Sequence, residues 1–206
     1  YQVPVILLSA TLPFNRRKEL AQAYLNDSKK AFELPETHYP RLTYTDGGEV
    51  FTKALPEKST GRMVKIIRGD EEMAVEKMIC AVRSGACVGI ICNTVVRAQY
   101  FAERVRNVEG AKVILYHAQY IIPDRMEREE TLKKRIGKNS TAEIRKGVVV
   151  VGTQVLEQSL DIDFDILITD LCPMDLLLQR IGRLGRHPRM DRPQGYETAK
   201  CVVLGT

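Results

Sequence analysis

The chain has 206 residues, 44% of them hydrophobic and 28% charged, enough apolar material for a sizeable core under a solvated surface. Lys and Arg number 31 against 26 Asp and Glu, which leaves +5 and a pI near 8.9; a polyanionic partner is permitted, not required. No run nears the ~20 apolar residues of a membrane helix, and no basic stretch leads into an apolar one. The five Cys are odd in number with no C-x-x-C, and the three His are scattered. Membrane, collagen-like, disordered and disulfide-scaffold classes are excluded; the thiols are expected buried and reduced, and no metal site is expected.

The chain opens without Met inside an apolar run, so it reads as a segment of something longer. Residues 5–9 read as a buried strand and 15–25 as a helix with Leu20, Ala23 and Tyr24 inward. Residues 26–61 are rich in Pro, Gly, Thr and charge and read as irregular, with one possible short strand at 41–45. From Arg62 the alternation becomes regular. A strand over 63–67 precedes a helix capped by Asp70, with Val75, Met78, Ile79 and Val82 on one face. Residues 87–92 form the next strand. Thr94 caps a helix that turns Val95, Ala98, Ala102 and Val105 inward. Then come a strand at 112–116, a polar helix at 123–136 supported by Glu129/Lys133 and Glu130/Lys134 pairs, and strands at 147–151 and 166–169. A helix over 174–183 and a strand over 200–204 complete the series. Continuous β-branched strands alternating with helices predict an α/β fold with a mainly parallel sheet covered on both faces. In such sheets ligands bind at the carboxyl ends of the strands.

A P-loop requires G-x-x-x-x-G-K-[ST]; the nearest sequence, Gly137-Lys138-Asn139, lacks the first Gly and the hydroxyl and follows a helix. No Asp-Glu doublet follows a strand to hold Mg²⁺, and the strand ending in Asp170 reads as structural. Alone, the chain is expected not to hydrolyse a nucleoside triphosphate.

The most informative segment is Gln179-Arg180-Ile181-Gly182-Arg183-Leu184-Gly185-Arg186-His187. Between Gln179 and Arg192 lie five Arg, one His and one Asp. On charge alone such a cluster is a solvated face. On a helical wheel, however, Gln179, Arg183 and Arg186 share one stripe, opposite a buried face of Met174, Leu177, Leu178 and Ile181. Gly182 and Gly185 weaken the helix and leave room beside those guanidiniums, whose planar forks suit phosphate oxygens.

That segment resembles motif VI of superfamily 2 DExH helicases. Residues 150–163, Val-Val-Gly-Thr-Gln-Val-Leu-Glu-Gln-Ser-Leu-Asp-Ile-Asp, resemble motif V; Ile90-Ile91-Cys92-Asn93-Thr94 resembles motif IV, and Ser9-Ala10-Thr11-Leu12-Pro13 motif III. The Ser-Ala-Thr-Leu-Pro, Gln-Val-Leu-Glu-Gln-Ser-Leu-Asp-Ile-Asp and Arg-Leu-Gly-Arg-His forms most resemble the CRISPR-associated helicase–nuclease of type I systems. The resemblance implies a RecA-like three-layer α/β/α fold. It divides the chain into the edge of a first RecA-like domain (1–45), a linker (46–61) and a second RecA-like domain (62–206). It implies ATP bound between two such domains, the first holding the triphosphate and Mg²⁺. Arg183 and Arg186 take finger positions with Gln179 beside them, and Asp161 lies near the ribose or pairs with those arginines. Gly152 and Thr153, Asn93 and Thr94, and His117 are the implied nucleic-acid contacts, although Asn93 or Thr94 could be a plain helix cap and His117 a satisfied loop residue. The implied partners are single-stranded DNA, an RNA-guided CRISPR surveillance complex, and an HD nuclease and first RecA-like domain of the same polypeptide. The implied setting is the cytoplasm. Two other readings stay open here: the same domain of another superfamily 2 DNA or RNA helicase, and a non-enzymatic domain binding nucleic acid or a partner through its arginines.

Overall fold

The computed structural model describes residues 3–9, 12–25, 32–35, 38–56, 62–120, 122–157 and 160–205. Ala10, Thr11, Gln158 and Ser159 of the motifs above lie outside these. The chain divides into two compact units, Tyr1–Arg62 and Met63–Thr206.

In the first unit, helix α1 (Phe14–Leu25) buries Arg17 and Ala21, whereas Ala23 and Tyr24, expected inward, face solvent. Residues 5–9 do not form a strand. They carry no regular secondary structure and are exposed, with Ile6 at 84% and Leu8 at 93%. A strand exists only where a neighbouring strand takes its backbone groups, and neither sheet of the described residues includes this run. The stretch read as irregular holds an antiparallel hairpin instead, β1 (Arg41–Asp46) and β2 (Glu49–Ala54). Gly47 and Gly48, at φ 57° and 79°, supply the two left-handed positions of a tight turn. Tyr44 pairs with Phe51 across the strands, their rings stacked at 5.3 Å.

The second unit is a six-stranded sheet built from β3 (Val64–Gly69), β4 (Val88–Ile91), β5 (Lys112–Tyr116), β6 (Val148–Gly152), β7 (Ile166–Asp170) and β8 (Ala199–Leu204). The order is β3-β8-β7-β4-β6-β5, and every pairing is parallel. Strand β6 shows why the sequence folds this way. Val149 and Val151 point to one face and Val148 and Val150 to the other, and all four are fully buried. Helices α2 (Glu71–Arg83) and α3 (Val95–Arg106) cover the first face through Met78, Val82, Phe101 and Val105. Helices α4 (Ile122–Ile136) and α6 (Met174–Ile181) cover the second through Leu132, Ile136 and Leu177, and the short α5 (Ala142–Arg145) precedes β6. This is the three-layer α/β/α arrangement the sequence predicts. The caps also fall where expected: Asp70 accepts from the Met73 amide at 2.9 Å and Thr94 from the Arg97 amide at 3.2 Å.

Cys87, Cys92 and Cys201 are buried free thiols, but Cys80 is exposed on α2. Burial pushes the Cys92 and Cys201 thiols up to about 12. Among the described residues, no helix is long and apolar enough to cross a membrane.

Candidate functional site

Because all six strands run the same way, their carboxyl ends share one edge of the sheet. Along the order β7-β4-β6-β5 that edge carries Asp170, then Asn93, then Gly152 and Thr153, then His117. Four of the segments singled out from sequence are therefore neighbours.

Each is held in a particular way. At Gly152 an added Cβ would collide with the Tyr116 carbonyl oxygen and approach Leu156 Cδ1 to 2.7 Å, so only glycine fits. Its own carbonyl accepts from the Cys92 amide at 2.8 Å. Thr153, 2% exposed, opens a 3₁₀ turn over Gln154–Leu156 without capping it through its side chain. The Asn93 side chain is engaged internally: Nδ2 donates to the Leu171 carbonyl at 2.8 Å, and Oδ1 accepts from Arg180 at 3.2 Å. Thr94 is the cap of α3. His117 is 6% exposed, its ring stacked on Tyr120 at 4.3 Å, with the Arg128 guanidinium 4.2 Å from the Tyr120 ring centre. Burial, and then the charge of Arg128, lowers the His117 pKa, so the imidazole is neutral; its Nδ1 is buried without a partner.

The arginine segment departs from the helical wheel. Helix α6 ends at Ile181, with Gly182 as its C-cap, and Gly185 turns the chain at φ 52°. Leu184 then bridges to Phe164 in parallel, through Phe164 N to the Arg183 carbonyl at 2.8 Å and Gly185 N to the Phe164 carbonyl at 3.0 Å. Gln179 stays half-buried on α6, while Arg183 and Arg186 lie beyond the helix, so the three do not share a helical stripe. Nor is the expected buried face complete: Leu177 is buried, but Met174 and Leu178 are 68% and 52% exposed.

Arginine recurs at every third position from 180 to 192, and the five are partnered very differently. Arg180, 2% exposed, pairs with buried Glu157 at 2.7 Å and bonds Thr169 Oγ1 at 2.7 Å. Arg183 caps the carbonyls of Leu160 and Glu157, the latter at 2.6 Å, and its Nε is buried without a partner. Desolvation, and then the neighbouring Arg186 charge, lowers the Arg183 pKa. Arg186 reaches solvent. Its Nε donates to Asp161 at 2.6 Å, with the two side chains 41% and 51% exposed. The hydrogen bond from Arg186 is the largest cause that holds the Asp161 carboxyl below its usual range, and His187 Nε2 stands 3.2 Å from the same oxygen. Arg189 and Arg192 turn inward onto Asp163 and Asp165, where Arg145 of α5 joins them. The solvated-face reading of this cluster therefore fails for Arg180, Arg189 and Arg192: guanidiniums this buried persist only when carboxylates face them.

Sequence reasoning missed Glu157, Asp163, Asp165 and Arg145 as parts of this arrangement. A signal was available. Acids alternate at 161, 163 and 165 while arginines recur every three residues from 180, and oppositely charged repeats of this kind point to mutual pairing.

The family described as CRISPR-associated nuclease/helicase Cas3, C-terminal, matches residues 84–189. A CRISPR-associated nuclease/helicase Cas3 from Streptococcus thermophilus is 41% identical over 214 residues, covering 100% of this chain and 23% of the relative. The crystal structure of T. fusca Cas3-AMPPNP superposes with a TM-score of 0.85 at 32% identity, over 98% of this chain and 26% of that one. A chain from a CRISPR RNA-guided surveillance complex in a pre-nicking state superposes with a TM-score of 0.83 at 31% identity, over 98% of this chain and 27% of that one. The chain thus spans about a quarter of the length of these relatives.

Proposed function

The chain belongs to the C-terminal part of the CRISPR-associated nuclease/helicase Cas3 family, and from that premise we propose that it is the second RecA-like domain of an ATP-dependent DNA helicase or translocase acting in type I CRISPR interference. The domain contributes half of a split ATP site and a set of DNA-backbone contacts. ATP is the substrate; its triphosphate and Mg²⁺ are held by a first RecA-like domain, and the isolated chain is inactive. The surveillance complex and single-stranded DNA are its partners in the cell.

The observation that carries this reading is the state of Arg186. The other arginines of the series are committed to buried carboxylates or to carbonyls, whereas Arg186 sits at the surface, paired to an exposed carboxylate that an anion can replace. A guanidinium poised this way acts on the charge that spreads over the transferred phosphoryl oxygens. Arg183 lies beneath it with an orphaned Nε, which fits an anion close by. Gln179 flanks them from α6, and Asp161 is the carboxylate Arg186 leaves. A strand of DNA is contacted along the carboxyl edge by Gly152, Thr153, Asn93, Thr94 and His117, chiefly through backbone amides and at phosphates. Such contacts are independent of sequence and weaken with salt.

The test is Arg186→Ala in the full-length protein. Its side chain is outside the core, so the melt is expected unchanged, and binding of ATP and single-stranded DNA largely retained. DNA-dependent ATP turnover is expected to fall by about 10³-fold or more, the value of an arginine finger elsewhere. Arg186→Lys does not restore it, because a point ammonium cannot reproduce the planar fork. Near-normal turnover in Arg186→Ala overturns the assignment.

A further inference from the structure

Asp163 is 0% exposed and surrounded by donors. Its Oδ2 accepts from Arg189 Nε at 2.8 Å and from Arg192 Nη2 at 2.8 Å. Its Oδ1 accepts from the same Arg192 nitrogen at 3.1 Å and from the backbone amide of Arg186 at 2.9 Å. Arg145 Nη1 stands 3.9 Å from Oδ2.

The Arg186 amide is the informative contact. Residues 185–193 form neither helix nor strand; the Leu184–Phe164 bridge holds the chain as far as the Gly185 amide, and no ladder bond takes the Arg186 amide. A buried carboxylate does so instead. Two further grips follow within six residues. Arg189 reaches from Asp163 to the carbonyls of Gly137 and Ser140, and Arg192 reaches from Asp163 to the His187 carbonyl at 3.1 Å. The segment after Arg186 is thereby tied to the turn that follows α4. Asp161 and Asp163, two residues apart, hold different parts of Arg186: one an exposed side chain, the other a backbone amide inside the fold.

We propose that Asp163 is the positioning residue for Arg186. Its carboxylate fixes the Arg186 backbone, so the guanidinium can exchange Asp161 for a phosphate oxygen while the chain beneath it stays in place. The proposal rests on the reading of Arg186 given above. Its physical basis is tolerance: an electrostatic contact to a transition state is effective only when placed to a fraction of an ångström, and a displacement near 1 Å costs on the order of 10²-fold in rate.

The experiment uses the full-length protein with Asp163→Asn, Asp163→Glu, Arg186→Ala and the double variant Asp163→Asn/Arg186→Ala. Readouts are ATP turnover with single-stranded DNA, amide exchange at Arg186, and a melt. Asp163→Asn is expected to lower kcat by about 10- to 100-fold with KM for ATP little changed. Amide exchange at Arg186 is expected to speed up while Ile166–Asp170 stay protected. The double variant is expected to lose no more kcat than Arg186→Ala alone, because a misplaced arginine and an absent one fail at the same step. Should Asp163→Asn not fold, Asp163→Glu keeps the charge, shifts the acceptor by one methylene, and is expected to show a smaller kcat loss on the same pattern. Wild-type kcat in the folded Asp163 variants beside an inactive Arg186→Ala overturns the positioning role and leaves the Arg186 reading standing. So does a double variant in which the two losses multiply, since Asp163 would then be acting on the fold at large. Wild-type turnover in Arg186→Ala removes both.

Discussion

Glu157→Ala isolates the energetics of the pair beneath the arginine segment. Both side chains are 2% exposed, and Arg180 Nε lies 2.7 Å from Glu157 Oε1. Truncation leaves the guanidinium in place, still bonded to Thr169 Oγ1, the Asp170 carbonyl and Asn93 Oδ1, with no carboxylate to balance it. Asp170 cannot substitute, because its carboxylate already takes Arg97 at 2.9 Å and the Asn93 amide at 2.9 Å. Breaking a buried pair from one side costs about 3–5 kcal/mol. Against the ~5–15 kcal/mol stability of an ordinary domain, that is about a fifth of the total at the least and most of it in a marginal one. Glu157→Gln keeps an acceptor and is expected to cost less, about 1–3 kcal/mol, chiefly the charge-assisted part of one hydrogen bond. Removing both partners with Arg180→Met/Glu157→Leu is expected to recover most of the loss, because neither buried charge remains. Urea unfolding of each variant, fitted with a common m-value, supplies the comparison. A loss under ~1 kcal/mol in Glu157→Ala refutes the reasoning, since it would mean that water reaches Arg180 or another carboxylate swings in.

Two further outcomes follow from the carboxyl edge. Gly152→Ala forces β5 and β6 apart at Tyr116, and is expected to cost about 1–3 kcal/mol or more in unfolding experiments, with DNA binding weakened beside it; a wild-type melt would show that the edge yields freely. His117 is neutral in the fold, and its pKa is lowered by burial. Its contribution to stability is therefore present above the unfolded value near 6.5 and fades as pH falls below it, because the unfolded chain takes the proton first. Stability against pH for wild type and His117→Gln measures this, and parallel curves between pH 7 and 5 would refute it.

Much of the second unit was legible in the sequence, for a local reason. Runs such as Val148–Gly152 are β-branched and continuous, and only a strand buried on both faces wants that composition. The caps Asp70 and Thr94 were equally local. Most of the failures are non-local. Residues 5–9 have the composition of a strand but form none, and whether a run joins a sheet is not written in the run itself. The hairpin at 41–54 was hidden because its glycines read as loop, although two in succession are what its turn needs. Met174 and Leu178 were assigned inward by periodicity, but an eight-residue helix lying on the sheet buries a narrower strip than the wheel implies. The arginines show the same limit most clearly. Arg189 and Arg192 look like surface residues until Asp163 arrives from 26 and 29 residues away.

The way those charges meet bears on the length of the chain as much as on its chemistry. Arg186 meets Asp161, Arg189 meets Asp163, and Arg192 meets Asp165, in the same order along both segments. In an extended stretch, every second side chain points the same way, roughly 6.6 Å apart; the opposing loop covers each such step with three residues. The spacers between its arginines, Pro188 and the fully exposed Met190 among them, carry little of this registration. Substitution at Pro188 or Met190 should be cheap. Adding or deleting one residue between 186 and 192 would shift every later arginine off its acid, stranding buried charge on both sides at once. Insertions in this family are therefore expected to accumulate between Arg192 and the start of β8, beyond the last of these pairings, and to be rare from Arg186 to Arg192.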